Sequence, residues 1–364
     1  MAAEALFRPF AARSLRTPNR IAMASMARWA SPGGDPAPLA GFYRRRVEGG
    51  AGLILTEGVN PDRPAAGNDP TSVKLHGPAL ESWPAVIATV HDAGGAIAPQ
   101  LWHCGATAKP GQRWRPSAPF ESPSGLQAPG IERGVVMDGA AVEETIAAFA
   151  RAAADARRLG FDGVEVHAGH GYLLDQFLWA ATNLRDDRWG GASLAERSRF
   201  PLEVVKAVRR AVGPDFAILM RISQWKSADL TARLVRTPAE LEAWLAPFVE
   251  AGVDVINVSQ LRWDEAEFEG SPLSLAGWVK KTLGVPTIVA GGVGMAGDFI
   301  GAFSGRSAEP EPVDALAQRL AEGEFDMVAV GRGMLADADW ARRVAGGARR
   351  SACTPQMLLA GVDL

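Results

Sequence analysis

The chain holds five histidines and two tyrosines, and three of those seven residues fall in the run His167-Ala168-Gly169-His170-Gly171-Tyr172. Two imidazoles and a phenol this close together fit three chemistries. A metal centre needs a third ligand, and no carboxylate or further histidine stands at suitable spacing nearby, so no metal is expected. Two satisfied histidines and a buried tyrosine would be plain packing. The third reading is a pair of imidazole donors gripping one substrate oxygen while a phenol delivers a proton. A tyrosine with its ordinary pKa of about 10 is protonated at neutral pH and can serve as a general acid.

Two further sets of residues carry possible chemistry. Gly291-Gly292 and Gly331-Arg332-Gly333 each follow an apolar run. Glycines let backbone N–H groups approach a phosphate, and an arginine adds a two-pronged charged donor. The plain alternative is two tight turns and a solvated arginine. Arg221 closes another apolar run; with Gln100 it could hold a planar, electron-rich ring that becomes anionic on reduction.

The elements that must position these residues alternate regularly. Apolar or β-branched runs occur at 20–27, 52–58, 96–103, 163–167, 217–223, 253–259, 285–290 and 327–330. Most are continuous rather than alternating, as in strands buried on both faces of a parallel sheet. Between them lie stretches of helical length. In 140–159, Val142, Ile146, Phe149 and Ala153 recur at three- and four-residue spacing. The stretch 193–212 repeats the arrangement. Thr237 then Pro238 reads as an N-cap with proline at the first helical position, and that helix runs to about Glu250. Gly160 and Gly252 stand just past helix ends.

Eight strand-then-helix units predict an α/β fold, a TIM (β/α)8 barrel, with the chain as a single domain and a barrel core over about 20–340. A doubly wound open sheet ranks lower, because no strand opens a G-x-G-x-x-G turn. The segment 107–135, after the third strand, is rich in Pro, Gly and Ser and too long for a plain connection. It reads as an excursion or lid over the barrel mouth, or a mobile loop. The patch 304–312 reads as a surface insertion. In a barrel the chemistry sits at the C-terminal strand ends, here Met26–Ala27, Glu57–Gly58, Gln100 with Trp102–His103, His167, Arg221, Ser259, Gly291–Gly292 and Gly331–Arg332.

Composition narrows the function classes. Thirty-eight basic against forty-one acidic residues give a formal charge of −3, without the basic excess of a nucleic-acid binder. An apolar fraction of 47% and a charged fraction of 22% supply a sizeable core. Cys104 and Cys353 are the only cysteines, too few for a disulfide scaffold, a four-cysteine zinc site or a cysteine-ligated cluster. No apolar run approaches the roughly 20 residues that span a bilayer. The opening Met-Ala-Ala-Glu-Ala shows no secretory pattern, so a soluble cytoplasmic protein without membrane or nucleic-acid partners is expected.

The most specific stretch is Gly163-Val164-Glu165-Val166-His167-Ala168-Gly169-His170-Gly171-Tyr172-Leu173-Leu174-Asp175-Gln176-Phe177-Leu178, continued by Asn183, Arg185, Asp187, Gly190, Gly191, Ser193, Arg197 and Phe200. With Asn19-Arg20-Ile21, Met23, Gln100-Leu101-Trp102-His103 and Val330-Gly331-Arg332, it resembles the old yellow enzyme family, FMN-dependent ene reductases, from Phe7 to about Trp340. The resemblance implies that Ala24, Ser25, Met26 and Ala27 meet the flavin through their backbone. It implies that Gly58 is the small residue beneath the ring and that Gln100 binds the pyrimidine edge. Arg221 is the implied cation near the flavin N1 region, and Gly331 with Arg332, beside Gly291 and Gly292, the implied phosphate grip. His167 and His170 match the pair that binds a carbonyl or nitro oxygen, and Tyr172 the proton donor. NADH or NADPH would reduce FMN, and an activated alkene would then be reduced.

There are departures. Ala27 stands where the family often carries a hydroxyl or thiol that tunes the flavin, so an altered potential is expected. Ser25 replaces a frequent proline. Trp29 sits where relatives place a substrate-facing aromatic, and Trp102 lies near the ring; either could be packing. No cysteine cluster follows the barrel, so no iron–sulfur domain is expected. A flavin-dependent amine dehydrogenase or demethylase on the same barrel, and a non-redox phosphate-binding barrel such as an aldolase or isomerase, are the competing readings. A homo-oligomer, the physiological alkene and the nicotinamide preference stay open.

Overall fold

A computed structural model describes residues 2–108, 114–298, 300–303 and 305–362. Eight parallel strands close on themselves: β1 (Ile21–Met23), β2 (Leu53–Asn60), β3 (Ala96–Leu101), β4 (Gly163–His170), β5 (Ala217–Lys226), β6 (Val255–Ser259), β7 (Thr287–Ala290) and β8 (Met327–Val330). Each pairs with the next, and β8 pairs with β1, with Val330 opposite Met23. This is the expected TIM barrel. All eight predicted runs are strands, with shifted ends. β4 and β5 extend to His170 and Lys226, while β1 stops at Met23 and leaves 24–27 as loop.

Strand side chains alternate between two environments. Ala22, Leu53, Leu55, Ala96, Ala98, Ala217, Leu219, Val255, Ile288, Met327 and Ala329 share one apolar cluster inside the barrel. An N-terminal hairpin, Phe10–Ala12 paired with Leu15–Thr17, adds Phe10 and Leu15 to that cluster. The sequence reading had not anticipated this hairpin. The opposite strand faces pack against the helices in a much larger cluster.

Helix Gly139–Leu159 is capped by Asp138, which accepts from the Ala141 N–H at 2.8 Å, and ends at Gly160 with φ 95°. Thr237 caps Pro238–Glu250 in a reciprocal box with Glu240, as its spacing predicts. The expected helix over 193–212 is instead two pieces, Leu194–Arg197 and Arg199–Val212. Pro201 has no N–H to offer the Arg197 carbonyl, so the ladder breaks there.

The excursion after β3 is described apart from 109–113. It folds into short pairings, Glu121–Ser122 with Val135–Val136 and Leu126–Ala128 with Ile131–Glu132. Arg63 grips Glu121 at 2.7 Å, and Glu121 faces the buried His103 at 3.2 Å. In the patch 304–312, where Ser304 lies outside the described residues, Ala308 and Cys353 exchange two backbone hydrogen bonds at 2.9 Å. Exposure is confined to part of this insertion, and its middle is stitched down. Among the described residues no helix is long and apolar enough to cross a membrane.

Candidate active site

The C-terminal strand ends open into a cleft of about 250 Å³ with a wide mouth. Its lining includes Ser25, Ala27, Trp29, Glu57, Gly58, Gln100, Trp102, His167, His170, Tyr172 and Arg221. Ten residues singled out from the sequence for binding or catalysis therefore converge on one surface.

Strand register explains the convergence. His167 on β4 stands opposite Arg221 on β5, and Arg221 opposite Asn257 on β6. Glu165, two residues before His167 and so on the same face of β4, stands opposite Gln100. After His167 the chain turns sharply. His170 takes φ 63° and Gly171 φ 80°, a left-handed conformation that costs a non-glycine residue energy. Ser223 Oγ accepts the His170 N–H at 2.8 Å, and Asp175 accepts the Gly171 N–H at 2.7 Å. Those bonds hold the turn that brings Tyr172 back over β4. The His167 ring centre lies 5.0 Å from that of His170 and 5.4 Å from that of Tyr172.

The polar groups here are unevenly satisfied. Both ring nitrogens of His167 are buried without a partner among the described residues, as are Nε and Nη1 of Arg221. Buried polar groups in native proteins are nearly always paired, so orphans at a cleft mark positions a ligand completes. His170 Nε2 meets Ser259 Oγ at 2.9 Å, and its ring lies 4.4 Å from that of Trp225. Arg221 Nη2 reaches the same Ser259 oxygen at 3.5 Å, the long limit of a hydrogen bond. The Ser259 hydroxyl can accept from Arg221 and either accept from or donate to His170 Nε2, according to the imidazole tautomer.

Burial, reinforced by Arg221, holds His167 well below the ordinary histidine pKa; burial with His167, Arg221 and Lys226 does the same for His170. Both rings are therefore neutral near pH 7, each with one N–H to donate. Burial pushes the Tyr172 phenol up to about 12. Burial likewise lowers the Arg221 guanidinium, opposed by Glu165.

Six expected contacts do not line the cleft: Ala24, Met26, Gly291, Gly292, Gly331 and Arg332. Ala24 and Met26 follow β1, Gly291 and Gly292 follow β7, and Gly331 and Arg332 follow β8. A Cβ on Gly331 would lie 3.4 Å from Met26 Sδ. Gly291 and Gly292 take φ 128° and 63°, as a glycine-requiring turn would. Arg332 departs from the open two-pronged donor expected of it. Its guanidinium donates to the carbonyls of Ala296, Gly297 and Asp298 and clamps the loop after β7. Gly58 has a second reason to be small: a Cβ there would come within 3.0 Å of the Trp102 indole.

Among the described residues, the excursion adds none to the lining. The loop after β2 supplies Asn68, Asp69, Thr71 and Ser72 to the lining. Arg63 ties Glu121 of the excursion to the loop after β2 at 2.7 Å, and Thr107 at its start donates to the Gly171 carbonyl at 3.0 Å. Sequence reading assigned no role to Glu165, Asn257, Ser223 or that β2 loop. Glu165 had a signal, an acid in an apolar run two residues before His167. The loop had none.

A flavin is tested by these groups. A cation with unpaired N–H groups, an amide and two neutral imidazoles in one cleft match a flat ring carrying carbonyls and an N–H. The residues fit FMN.

Fold and site together define a TIM-barrel protein whose polar groups gather at the C-terminal face. The family model described as NADH:flavin oxidoreductase / NADH oxidase matches residues 5–350. The chain belongs to that family. It is 32% identical over 338 residues to an NADH oxidase of Thermoanaerobacter brockii, covering 89% of this chain and 48% of that protein. It is 33% identical over 343 residues to a metal reductase of Desulforamulus reducens, covering 91% and 47%. The chain thus spans about half the length of these curated relatives. The structure of morphinone reductase in complex with tetrahydroNAD superposes with a TM-score of 0.79 at 26% identity, over 98% of this chain and 96% of that one.

Proposed function

We propose that the chain is an FMN-dependent oxidoreductase that reduces the C=C bond of alkenes activated by a carbonyl or nitro group, with NADH or NADPH as the donor. The barrel acts in this reading as one FMN-binding unit. FMN, when bound, supplies the hydride. The protein's own groups do the rest.

Gln100, Arg221, Gly58 and the loop 24–27 hold the ring, and the glycine turns after β7 and β8, with Arg332 bracing them, receive the phosphate. Arg221 places positive charge where the reduced ring gathers negative charge. His167 and His170 each donate one N–H to the substrate oxygen, which polarises the alkene and stabilises the charge that develops on that oxygen. Tyr172 gives its phenolic proton to the α-carbon. Its raised pKa keeps that proton in place well above neutral pH. Trp29 and Trp102 flank the bound alkene.

The observation that carries this reading is the set of unpaired donors on His167 and Arg221 in the same cleft as Tyr172. The test is spectroscopic. Purified protein should show a flavin band that NADH or NADPH bleaches anaerobically and 2-cyclohexenone restores. Protein that takes up no FMN, or that turns over a methylated amine and not 2-cyclohexenone, overturns it. Tyr172→Phe should keep reduction by the nicotinamide and slow the alkene half-reaction by about 10²–10⁴-fold. The wild-type alkene rate should show no phenol titration below about pH 10, since the folded pKa lies near 12. Equal loss of both half-reactions in the variant removes Tyr172 from the donor role.

A further inference from the structure

We propose that Glu165 is a positioning residue that fixes which end of the Gln100 amide faces the cleft. The inference rests on the FMN reading above.

Glu165 lies on β4, fully buried, and register sets it opposite Gln100. One carboxylate oxygen accepts from Gln100 Nε2 at 2.6 Å, and the other accepts from Asn257 Nδ2 at 2.6 Å. On its far side, Gln100 Oε1 accepts from Ser25 Oγ at 2.8 Å. Ser25 and Gln100 both line the cleft, and Glu165 does not.

The two ends of an amide are nearly equal in size and opposite in hydrogen bonding, so a glutamine alone can present either. An ionised carboxylate only accepts. Turning Gln100 over would set its carbonyl oxygen against Glu165, two acceptors facing each other in a dry interior, and would leave the NH2 group without its strongest partner. Ser25 gives no such preference, because a hydroxyl can donate or accept. Glu165 therefore decides the matter, and Gln100 offers an acceptor to the ligand. An acceptor at that point suits the N3–H of an oxidised flavin, which lies between two carbonyls.

Glu165 is also the anion nearest in the network to Arg221, whose register partner is Asn257, the other donor to Glu165. One buried carboxylate thus ties the amide that reads the pyrimidine edge to β6, the strand paired with the one that carries the cation.

The experiment titrates flavin-free protein with FMN and with 3-methyl-FMN, which lacks the N3–H, and reads flavin fluorescence. Wild type should prefer FMN by about tenfold or more, the loss expected when a buried acceptor goes unpaired. Glu165→Gln lets the amide turn, and the preference should fall towards unity. Glu165→Gln with FMN bound and the wild-type preference intact overturns the inference and leaves the function standing. Wild type that binds neither flavin removes the function itself. Ser25→Ala, a change at the cleft surface that leaves Glu165 in place, should keep the preference. Its loss there would assign the polarity to Ser25 and overturn the inference, whether or not Glu165→Gln folds.

Discussion

Strands β4 and β5, with the turn after β4, carry two sets of buried polar groups, treated in opposite ways. His167 and Arg221 stand opposite each other with two nitrogens apiece unpaired. A few residues further along, Lys226 and Asp175 meet at 2.6 Å with neither side chain exposed. Asp175 also accepts the Gly171 N–H, and Lys226 reaches the Ser223 carbonyl at 3.4 Å. Burial raises the Asp175 pKa and lowers that of Lys226, and each resists the other's shift. The second set holds the left-handed turn at His170 and Gly171. The first makes one long contact, from Arg221 Nη2 to Ser259, and the desolvation of its orphaned nitrogens is a standing cost that a ligand can relieve. Satisfied charge here marks scaffold, and unsatisfied charge marks the site.

The comparison breaks most readily at Lys226. Lys226→Met leaves Asp175 buried and alone, and should destabilise the fold by about 3–5 kcal/mol in urea titration. Adding Asp175→Leu should recover most of that loss. A single variant as stable as wild type would show the pair to be no scaffold at all.

Arg221→Met should act with the opposite sign. In flavin-free protein it removes orphaned donors and should raise stability by about 1–3 kcal/mol, while retention of FMN falls. Destabilised apoprotein would mean that Arg221 belongs with the scaffold.

A smaller effect concerns pH. The folded-state pKa of His167 lies below the ordinary value of about 6.5. As pH falls through 6.5 the unfolded chain takes up the proton first, so His167's contribution is complete above that pH and is lost below it. His103 and His170, also lowered, act in the same direction. His167→Phe should lose about 1 kcal/mol less than wild type between pH 7 and pH 5.5, by urea unfolding at each pH. Parallel losses would place the acid sensitivity elsewhere.

The smallest expected change sharpens the boundary between the two sets. Ser223→Ala frees the His170 N–H inside the turn, which should cost about 1 kcal/mol of stability. It should also weaken binding of a phenol at the cleft, because the ring of His170 loses its fixed direction. Unchanged phenol affinity would show that the turn holds His170 without Ser223.

Much of the architecture was legible residue by residue. Continuous apolar runs marked strands buried on both faces, and Thr237-Pro238 and Gly160 marked helix ends, because these signals act over a few residues. The gathering of His167, His170 and Tyr172 was legible for the same reason. The N-terminal hairpin was not, since Phe10 and Leu15 show their task only against barrel residues such as Leu219 and Ile288. The wall built by Asn68 and Asp69 carried no chemical signature. Arg332 was legible as a residue beside the cleft and not as a clamp, because its acceptors are backbone carbonyls that any sequence supplies.

Residue order alone determined the period of each element, the strand count and the kinds of donor at the strand ends, since propensity and alternation are local. Only the closed barrel decided which donors keep a partner. Glu165 meets an amide 65 residues before it and another 92 residues after it, while His167 meets none. Whether a buried polar atom is satisfied depends on neighbours that strand register brings together across the chain, and no local pattern records that.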